Sequence, residues 1–268
     1  MYVFTSKHCP AKLCIPLETP MVMKKLYTTS KTHVILAYDL QSNLEVVIKQ
    51  YKKAKSNGSD FVKEVEIHGQ LDHENIVKLY GAWESTNSYY MVMEYAMNGD
   101  LFDIVYNSSQ TVSRKIMYYM VVKPLLHAVK YLHELDISHT DIKPENIGFN
   151  KDGKLLLLDF GLAARCYNME TDYKPIFTKG YGAPEVLAKK TDIDLKPIDI
   201  WCIGLLIYEV FEKQRPETIL HTTQQGKHVK MRSKFVSAIV SRCIALDPSD
   251  RPTIDELISL SKTALTCD

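Results

Sequence analysis

The sequence predicts an α+β fold in two unequal parts, a small antiparallel sheet carrying one helix and then a larger, mainly helical part. Three observations lead there. The first third of the 268 residues alternates short apolar runs with polar turns, the spacing of strands half-buried in a sheet. After Asn98-Gly99 the apolar residues recur at helical intervals over several long stretches. Hydrophobic residues make up 46% and charged residues 24% of the chain, a composition too apolar for wholesale disorder.

The elements follow in order. Residues 1–20 have no clear pattern and are read as an N-terminal extension: a strand, a docking arm or a disordered tail. Val34–Tyr38 and Leu44–Gln50, joined through Gln41-Ser42-Asn43, read as a β-hairpin. Asn57-Gly58-Ser59 closes that region, and Ser59 or Asp60 is suited to cap a helix starting near Phe61. Phe61, Val65, Ile67 and Leu71 would be its inward residues. Ile76–Leu79 and Tyr89–Tyr95 are two further strand candidates. In the second part, residues 114–135 carry helical periodicity, with Pro124 expected to kink the helix or break one hydrogen bond. Leu155–Leu158 reads as a strand covered on both faces, and residues 198–212, 234–246 and 254–265 read as helices. The last opens on Thr253-Ile254-Asp255-Glu256, a capping box. The joint between the two parts falls near Tyr95–Gly99.

Charge and cysteine usage exclude several classes. With 33 basic and 32 acidic residues the formal charge is +1, against a protein that grips nucleic acid by neutralising phosphates. The cysteines at 9, 14, 166, 202, 243 and 267 show no CxxC spacing, so neither a zinc site nor a disulfide framework is expected. They read as reduced, mostly buried thiols. No secretory leader is visible in Met1–Pro20. The longest apolar stretch, Ile200–Phe211, contains Glu209 and falls short of the roughly 20 residues needed to span a bilayer. No membrane association is expected. The location implied is intracellular, cytoplasmic with the nucleus open.

Several short strings then occur in a fixed order. Val46-Val47-Ile48-Lys49 ends a strand, and His139-Thr140-Asp141-Ile142-Lys143-Pro144-Glu145-Asn146 follows a helix. Asp159-Phe160-Gly161 follows the apolar run. Ala183-Pro184-Glu185, Asp199-Ile200-Trp201 and Arg251 come later. With this set the chain resembles the eukaryotic-type protein kinase superfamily, serine/threonine class, over roughly residues 24–263. The resemblance implies a bilobal protein-kinase-like fold over 21–268, with a small lobe of about 21–95, a hinge of about 94–99 and a large lobe of about 97–268. It also implies ATP and Mg²⁺ as cofactors and a protein bearing serine or threonine as substrate.

Phosphoryl transfer needs positioning and charge neutralisation more than covalent chemistry, and the resemblance distributes those tasks. Lys49 would hold the α- and β-phosphates, with Glu64 as its partner. Asp141 would accept or orient the proton of the attacking hydroxyl, and Lys143 would neutralise the phosphoryl in transit. Asn146 and Asp159 are hard oxygen ligands suited to Mg²⁺. His139 and Phe160 are supporting residues, Asp199 would brace the catalytic loop, and Glu185 would pair with Arg251. For the purine, Val34 and Val47 would form the roof, Met93 would guard the back pocket, Glu94 and Ala96 would offer backbone groups, and Asp100 would bond the ribose.

The chain also departs from the family pattern. Val47 stands where alanine is usual, Gly148 where a leucine floor is usual, and His68 where an aliphatic residue is usual. The loop Tyr27–His33 has no glycine, its three glycine positions being Tyr27, Thr29 and Thr32. The hydroxyls of Thr29, Ser30 and Thr32 and the Lys31 ammonium are expected to recover part of the lost phosphate binding. Thr140 replaces the arginine that normally receives a phosphate from the activation loop, so activity independent of phosphorylation at Thr171, Tyr173 or Thr178 is expected. Asp100, Glu145 and Glu209 match positions that select basic residues upstream of the target hydroxyl. Two rival readings are a pseudokinase scaffold and a small-molecule phosphotransferase. Oligomeric state is left open.

Overall fold

The computed structural model describes residues 3–9, 13, 15–17, 20–55, 58–107, 112–166, 178–188, 193–224 and 231–266. The chain divides into two compact units, Met1–Met97 and Asn98–Asp268.

The first unit is built on a six-stranded antiparallel sheet among the described residues, in the order β1-β5-β6-β4-β3-β2. Its strands are β1 (Val3–Thr5), β2 (Met21–Thr28), β3 (Thr32–Asp39), β4 (Leu44–Lys52), β5 (Leu79–Glu84) and β6 (Ser88–Glu94). The β3–β4 hairpin pairs from Thr32 opposite Tyr51 to Asp39 opposite Leu44. Its turn is closed by Asp39, whose carboxylate accepts the Ser42 N–H at 2.8 Å, and by Asn43 in the left-handed region at φ 61°, which asparagine tolerates. Helix α1 (Ser59–His68) buries Phe61, Val65 and Ile67, and Leu71 beyond its end.

Three expectations for this unit are corrected. Neither Ser59 nor Asp60 caps α1: the N-cap is Gly58 at φ 84°, with no side-chain cap. A β-carbon on Gly58 would come within 2.7 Å of the Tyr89 hydroxyl, so the close approach and the positive φ both require glycine. Ile76 and Val77 are buried but precede the strand, because a turn at His73 takes the Ile76 N–H at 3.1 Å; β5 runs instead from Leu79 to Glu84. Strand β2, which the alternation did not reveal, is exposed along its whole length. An edge strand with no covered face carries no period-two signal.

Part of the extension 1–20 belongs to this sheet. β1 pairs with β5, Ser6 N–H donates to Tyr80 O at 2.9 Å, and Leu13 and Leu17 pack into a cluster with Ala37, Val46, Ile48, Trp83 and Val92.

The second unit contains α2 (Leu101–Tyr106), α3 (Arg114–Met117) and α4 (Lys123–Glu134), then the short strands β7 (Ile137–Ser138), β8 (Ile147–Phe149), β9 (Leu155–Leu157) and β10 (Ala164–Arg165). Helices α5 (Pro184–Leu187), α6 (Lys196–Glu212), α7 (Pro216–Gln224), α8 (Lys234–Cys243) and α9 (Ile254–Thr266) follow. The break expected at Pro124 takes the form of a locally widened turn inside one continuous helical run, α3, Tyr118–Val122 and α4 following one another without a gap. Between α3 and α4 the chain makes a wide turn over Tyr118–Val122, with the Lys123 N–H bonded to the carbonyl of Tyr118 five residues back, and Pro124 sits in the first turn of α4. The widened turn lies where the missing N–H of Pro124 removes a bond to the carbonyl of Met120, four residues back. Helix α6 is buried almost all round, as its continuous apolar sequence requires. Gly204 lets it approach α8, where a β-carbon would meet that of Cys243 at 2.5 Å. The α9 box closes reciprocally: Thr253 N–H donates to Glu256 at 2.8 Å and Glu256 N–H to the Thr253 hydroxyl at 3.3 Å. Cys9, Cys166, Cys202 and Cys243 are free thiols; Cys14 and Cys267 lie outside the described residues.

Candidate functional site

In the first unit the pleat of β4 sends alternate side chains to opposite faces. Val46 and Ile48 join the cluster with Leu13 and Leu17, so Val47, Lys49 and Tyr51 share the other face. Lys49 Nζ lies 2.8 and 2.9 Å from the two carboxylate oxygens of Glu64 on α1, which is 1% exposed. The Tyr51 hydroxyl donates to the same carboxylate. Burial first, then the Glu64 charge, pushes the Tyr51 phenol well above its usual range. One turn after Glu64, buried His68 places Nε2 at 2.7 Å from Val77 O, tying α1 to the segment before β5.

The glycine-free loop is a closed turn. Thr29 Oγ1 accepts the N–H groups of Lys31 at 3.1 Å and Thr32 at 2.9 Å and lies 2.8 Å from the Thr32 hydroxyl. The Thr29 N–H donates to Thr32 O at 2.8 Å. The Thr29 and Thr32 hydroxyls, expected to serve a phosphate, bond to each other here, and Thr29 Oγ1 also serves the turn's own backbone. Lys31 Nζ lies 3.7 Å from Asp60.

The purine-side residues are spread along the same sheet. Val34 pairs in register with Lys49 and Val47 with Met93; both valines are half-buried and Met93 is buried. The Glu94 N–H is taken by Lys78 O at 2.9 Å. Ala96 follows β6 in irregular, half-buried backbone.

In the second unit, Asp199 organises the loop after β7 from behind. Its carboxylate accepts the N–H groups of His139 at 3.0 Å and Thr140 at 2.7 Å, and lies 2.9 Å from His133 Nε2. Thr140 is held at φ 62°, a region β-branched residues avoid, and its hydroxyl donates to Leu162 O at 2.7 Å. His139 Nδ1 accepts the Asp141 N–H at 3.3 Å, which leaves Nε2 to donate to Leu158 O at 2.9 Å. Its ring meets the buried Phe160 edge-on, centroids 5.0 Å apart.

Both Asp141 oxygens are engaged. Lys143 Nζ and Asn146 Nδ2 donate to Oδ2 at 2.6 and 2.9 Å, and the Thr178 hydroxyl donates to Oδ1 at 2.6 Å. Lys143 also donates to Thr178 Oγ1 at 2.7 Å. Asn146 uses Nδ2 for both its contacts to Asp141, which turns Oδ1, the amide atom able to ligate a cation, away from them. Asp159 is exposed, sits at φ 54° and accepts the Gly161 N–H at 3.2 Å. Leu158 N–H donates to Asn146 O at 2.9 Å, so the two oxygen donors are tied through adjacent backbone. Among the described residues no group of three or more His, Cys, Asp or Glu forms a metal site. A carboxylate and an amide oxygen alone suit a cation that completes its shell with water and phosphate oxygens, as Mg²⁺ does.

Behind this loop, Arg251 grips Glu185 with two bonds of 2.7 Å and lies 4.9 Å over the Trp201 ring. One other assignment is corrected. Glu209 is fully buried and takes the hydroxyls of Tyr106 at 2.6 Å and of Tyr181, and the Arg215 guanidinium at 3.0 Å. Its carboxylate is thus filled by the chain's own groups. Asp100 caps α2 through Oδ1, accepting the Asp103 N–H at 2.9 Å, and burial raises its carboxyl above the usual range. Glu145 is exposed and Gly148 buried. Thr171 and Tyr173 lie outside the described residues. Sequence reasoning missed Tyr51, although its period-two spacing from Lys49 was visible, and missed Arg215, for which no local signal exists.

The family model for the protein kinase domain matches residues 22–261. The chain is 30% identical to an Aurora kinase of Encephalitozoon cuniculi (strain GB-M1) over 208 residues, 74% of this chain and 75% of that protein. It is 31% identical to calcium-dependent protein kinase 5 of Plasmodium falciparum (isolate 3D7) over 252 residues, 87% of this chain and 43% of that protein. It is also 31% identical to myosin light chain kinase family member 4 of Homo sapiens over 211 residues, covering 72% and 52%. The chain therefore spans about half or less of the length of the last two. Among the described residues no helix is long and apolar enough to cross a membrane.

Proposed function

The chain belongs to the protein kinase family, and on that premise we propose that it transfers the γ-phosphoryl of MgATP to a serine or threonine hydroxyl of a protein. The observation that carries this reading is the Asp141 cluster. Thr178 donates its hydroxyl to Asp141 Oδ1 and accepts from Lys143, the two contacts an attacking alcohol needs beside a general base and a neutralising cation. In this reading a substrate hydroxyl takes that place, Asp141 orients it and receives its proton, and Lys143 offsets charge on the phosphoryl oxygens. Lys49, oriented by Glu64, holds the α- and β-phosphates. Asn146 Oδ1 and the Asp159 carboxylate would hold Mg²⁺, which would neutralise phosphate charge. Val34, Val47, Met93 and the backbone of Glu94 and Ala96 line the purine, within a kinase domain of about 21–268 joined at 94–99. His139, Phe160, Asp199 and the Glu185–Arg251 pair support the loop. We place the protein inside the cell. With Glu209 filled by Arg215, a preference for basic residues upstream of the target rests on Glu145.

A specific observation favours a second reading, the scaffold with little or no transfer: the Thr29–Thr32 turn consumes three of its own N–H groups. Losing a hydrogen bond to a charged phosphate costs about 1.5–3 kcal/mol, roughly 10- to 100-fold. Against typical kinase turnover of about 1–100 per second, that leaves a slow enzyme. The test is radiolabel transfer from ATP to mixed peptides, small alcohols and the protein itself, with and without Mg²⁺. Mg²⁺-dependent label on peptide serine or threonine, abolished in Asp141→Asn and Lys49→Met, supports the kinase. Wild type no better than Asp141→Asn at saturating ATP supports the scaffold, and label on the alcohols alone supports a small-molecule phosphotransferase.

A further inference from the structure

We propose that Tyr51 is a positioning residue for the phosphate-binding end of Lys49, acting through Glu64; this rests on the role given to Lys49 above.

An ammonium is a compact donor that turns freely on a flexible stem. Lys49 alone can attract the Glu64 carboxylate but does not fix the plane in which it lies. A second donor on a rigid frame does. The Tyr51 hydroxyl reaches Glu64 Oε2, one of the two oxygens that Lys49 Nζ meets at 2.8 and 2.9 Å. Its ring is 5% exposed and lies edge-on to Phe61 at 6.0 Å between centroids. Phe61 in turn stacks on Tyr89 at 4.7 Å. Phe61 and Glu64 are three residues apart on α1, hence neighbours on one helix face. Tyr51 therefore touches that face at two points, the Phe61 ring by its edge and the Glu64 carboxylate by its hydroxyl, and so sets the rotation of α1 against β4. Lys49 Nζ lies 5.4 Å from the centroid of the Tyr51 ring, so the same side chain also borders the ammonium directly. With its phenol pushed well above the usual range by burial, Tyr51 stays protonated and keeps donating.

A residue that merely fills space makes a different forecast, because phenylalanine has the same ring. The experiment is a double-mutant cycle on the full chain with Tyr51→Phe, Glu64→Gln and both, reading KM for MgATP, kcat and calorimetric MgATP affinity. Val92→Ala, in the cluster on the other face of the sheet, serves as the packing control, and thermal midpoints are recorded for all. If Tyr51 works through Glu64, Tyr51→Phe raises KM for MgATP about five- to tenfold while kcat changes less than about twofold. In the Glu64→Gln background it adds nothing further. Unchanged MgATP affinity in Tyr51→Phe, or effects of the two substitutions that multiply, would overturn the proposal. So would the same loss of affinity in Val92→Ala at an equal fall in thermal midpoint. Wild type that binds MgATP but transfers nothing sinks the catalytic reading alone, since the cycle read as affinity still decides Tyr51. Wild type that binds no MgATP sinks both.

Discussion

Two loops of this molecule, one in each unit, solve the same problem in opposite ways. The Thr29–Thr32 turn and the His139–Asn146 loop each have backbone N–H groups outside regular structure, and such groups need acceptors. The turn supplies them from within: a threonine hydroxyl takes two and a carbonyl takes a third. The loop is supplied from behind by Asp199, on a helix about 60 residues further along. The difference teaches what each loop has left to offer. A turn that satisfies three of its N–H groups from within has little left for a ligand. A loop satisfied by a distant carboxylate keeps Asp141, Lys143 and Asn146 for one another and for chemistry.

The largest effect should come from removing the brace. Asp199→Ala leaves two buried N–H groups and His133 without their acceptor and releases Thr140 from a disfavoured conformation. Transfer is expected to fall at least about 100-fold with a marked loss of stability, since breaking a buried charged network from one side costs about 3–5 kcal/mol. Retained transfer in radiolabel assays would mean the loop is shaped by something other than Asp199. Next, Glu185→Gln strands the Arg251 guanidinium in the core. By the same estimate it should lower the thermal midpoint by about 6–20 °C, while leaving the Thr29–Thr32 turn and its hydrogen-exchange protection unchanged.

Smaller effects sharpen the comparison from the other side. Thr29→Gly removes the internal acceptor and frees the N–H groups of Lys31 and Thr32, so KM for MgATP should drop about three- to tenfold. A rise would show that the closed turn helps binding. Lys31→Ala should weaken calorimetric MgATP affinity about two- to threefold, the modest value of an exposed charge. The smallest effect concerns the loop beyond β10. With Thr140 bonded to Leu162 in place of a phosphate-receiving arginine, phosphatase treatment should leave activity within about twofold. A loss of tenfold or more would show a phosphate receiver elsewhere.

What was legible in the sequence follows from which faces are buried. The β3–β4 hairpin declared itself because one face of β4 meets Leu13, Leu17 and Trp83 while the other meets α1, so alternation and a closing Asn43 were both present. Strand β2 has no buried face and left no trace. Pro124 signalled a break correctly but not its form, because a wide turn at Tyr118–Val122 depends on packing rather than composition. In the site, the motif strings named Asp141, Lys143 and Asn146, which the second unit gathers within hydrogen-bonding distance. They did not name Thr178 as the hydroxyl on Asp141, 37 residues away, nor Arg215 as the cation on Glu209, six residues on but past the end of α6, because both contacts depend on tertiary packing and not on a motif's spacing. The polar closure of the Thr29–Thr32 turn was visible only as an absence of glycine. Which way its hydroxyls point is a property of the turn.

The segment ahead of the matched region has a practical corollary. Similarity begins at residue 22, yet Leu13 and Leu17 are buried with Ala37, Val46, Ile48, Trp83 and Val92, and β1 covers one edge of β5. A fragment cut where the similarity starts would uncover an apolar sheet face and open a strand edge, the combination that drives edge-to-edge aggregation. The boundary of the folding unit and the boundary of the family resemblance are different lines, and anyone trimming this protein for expression should follow the first.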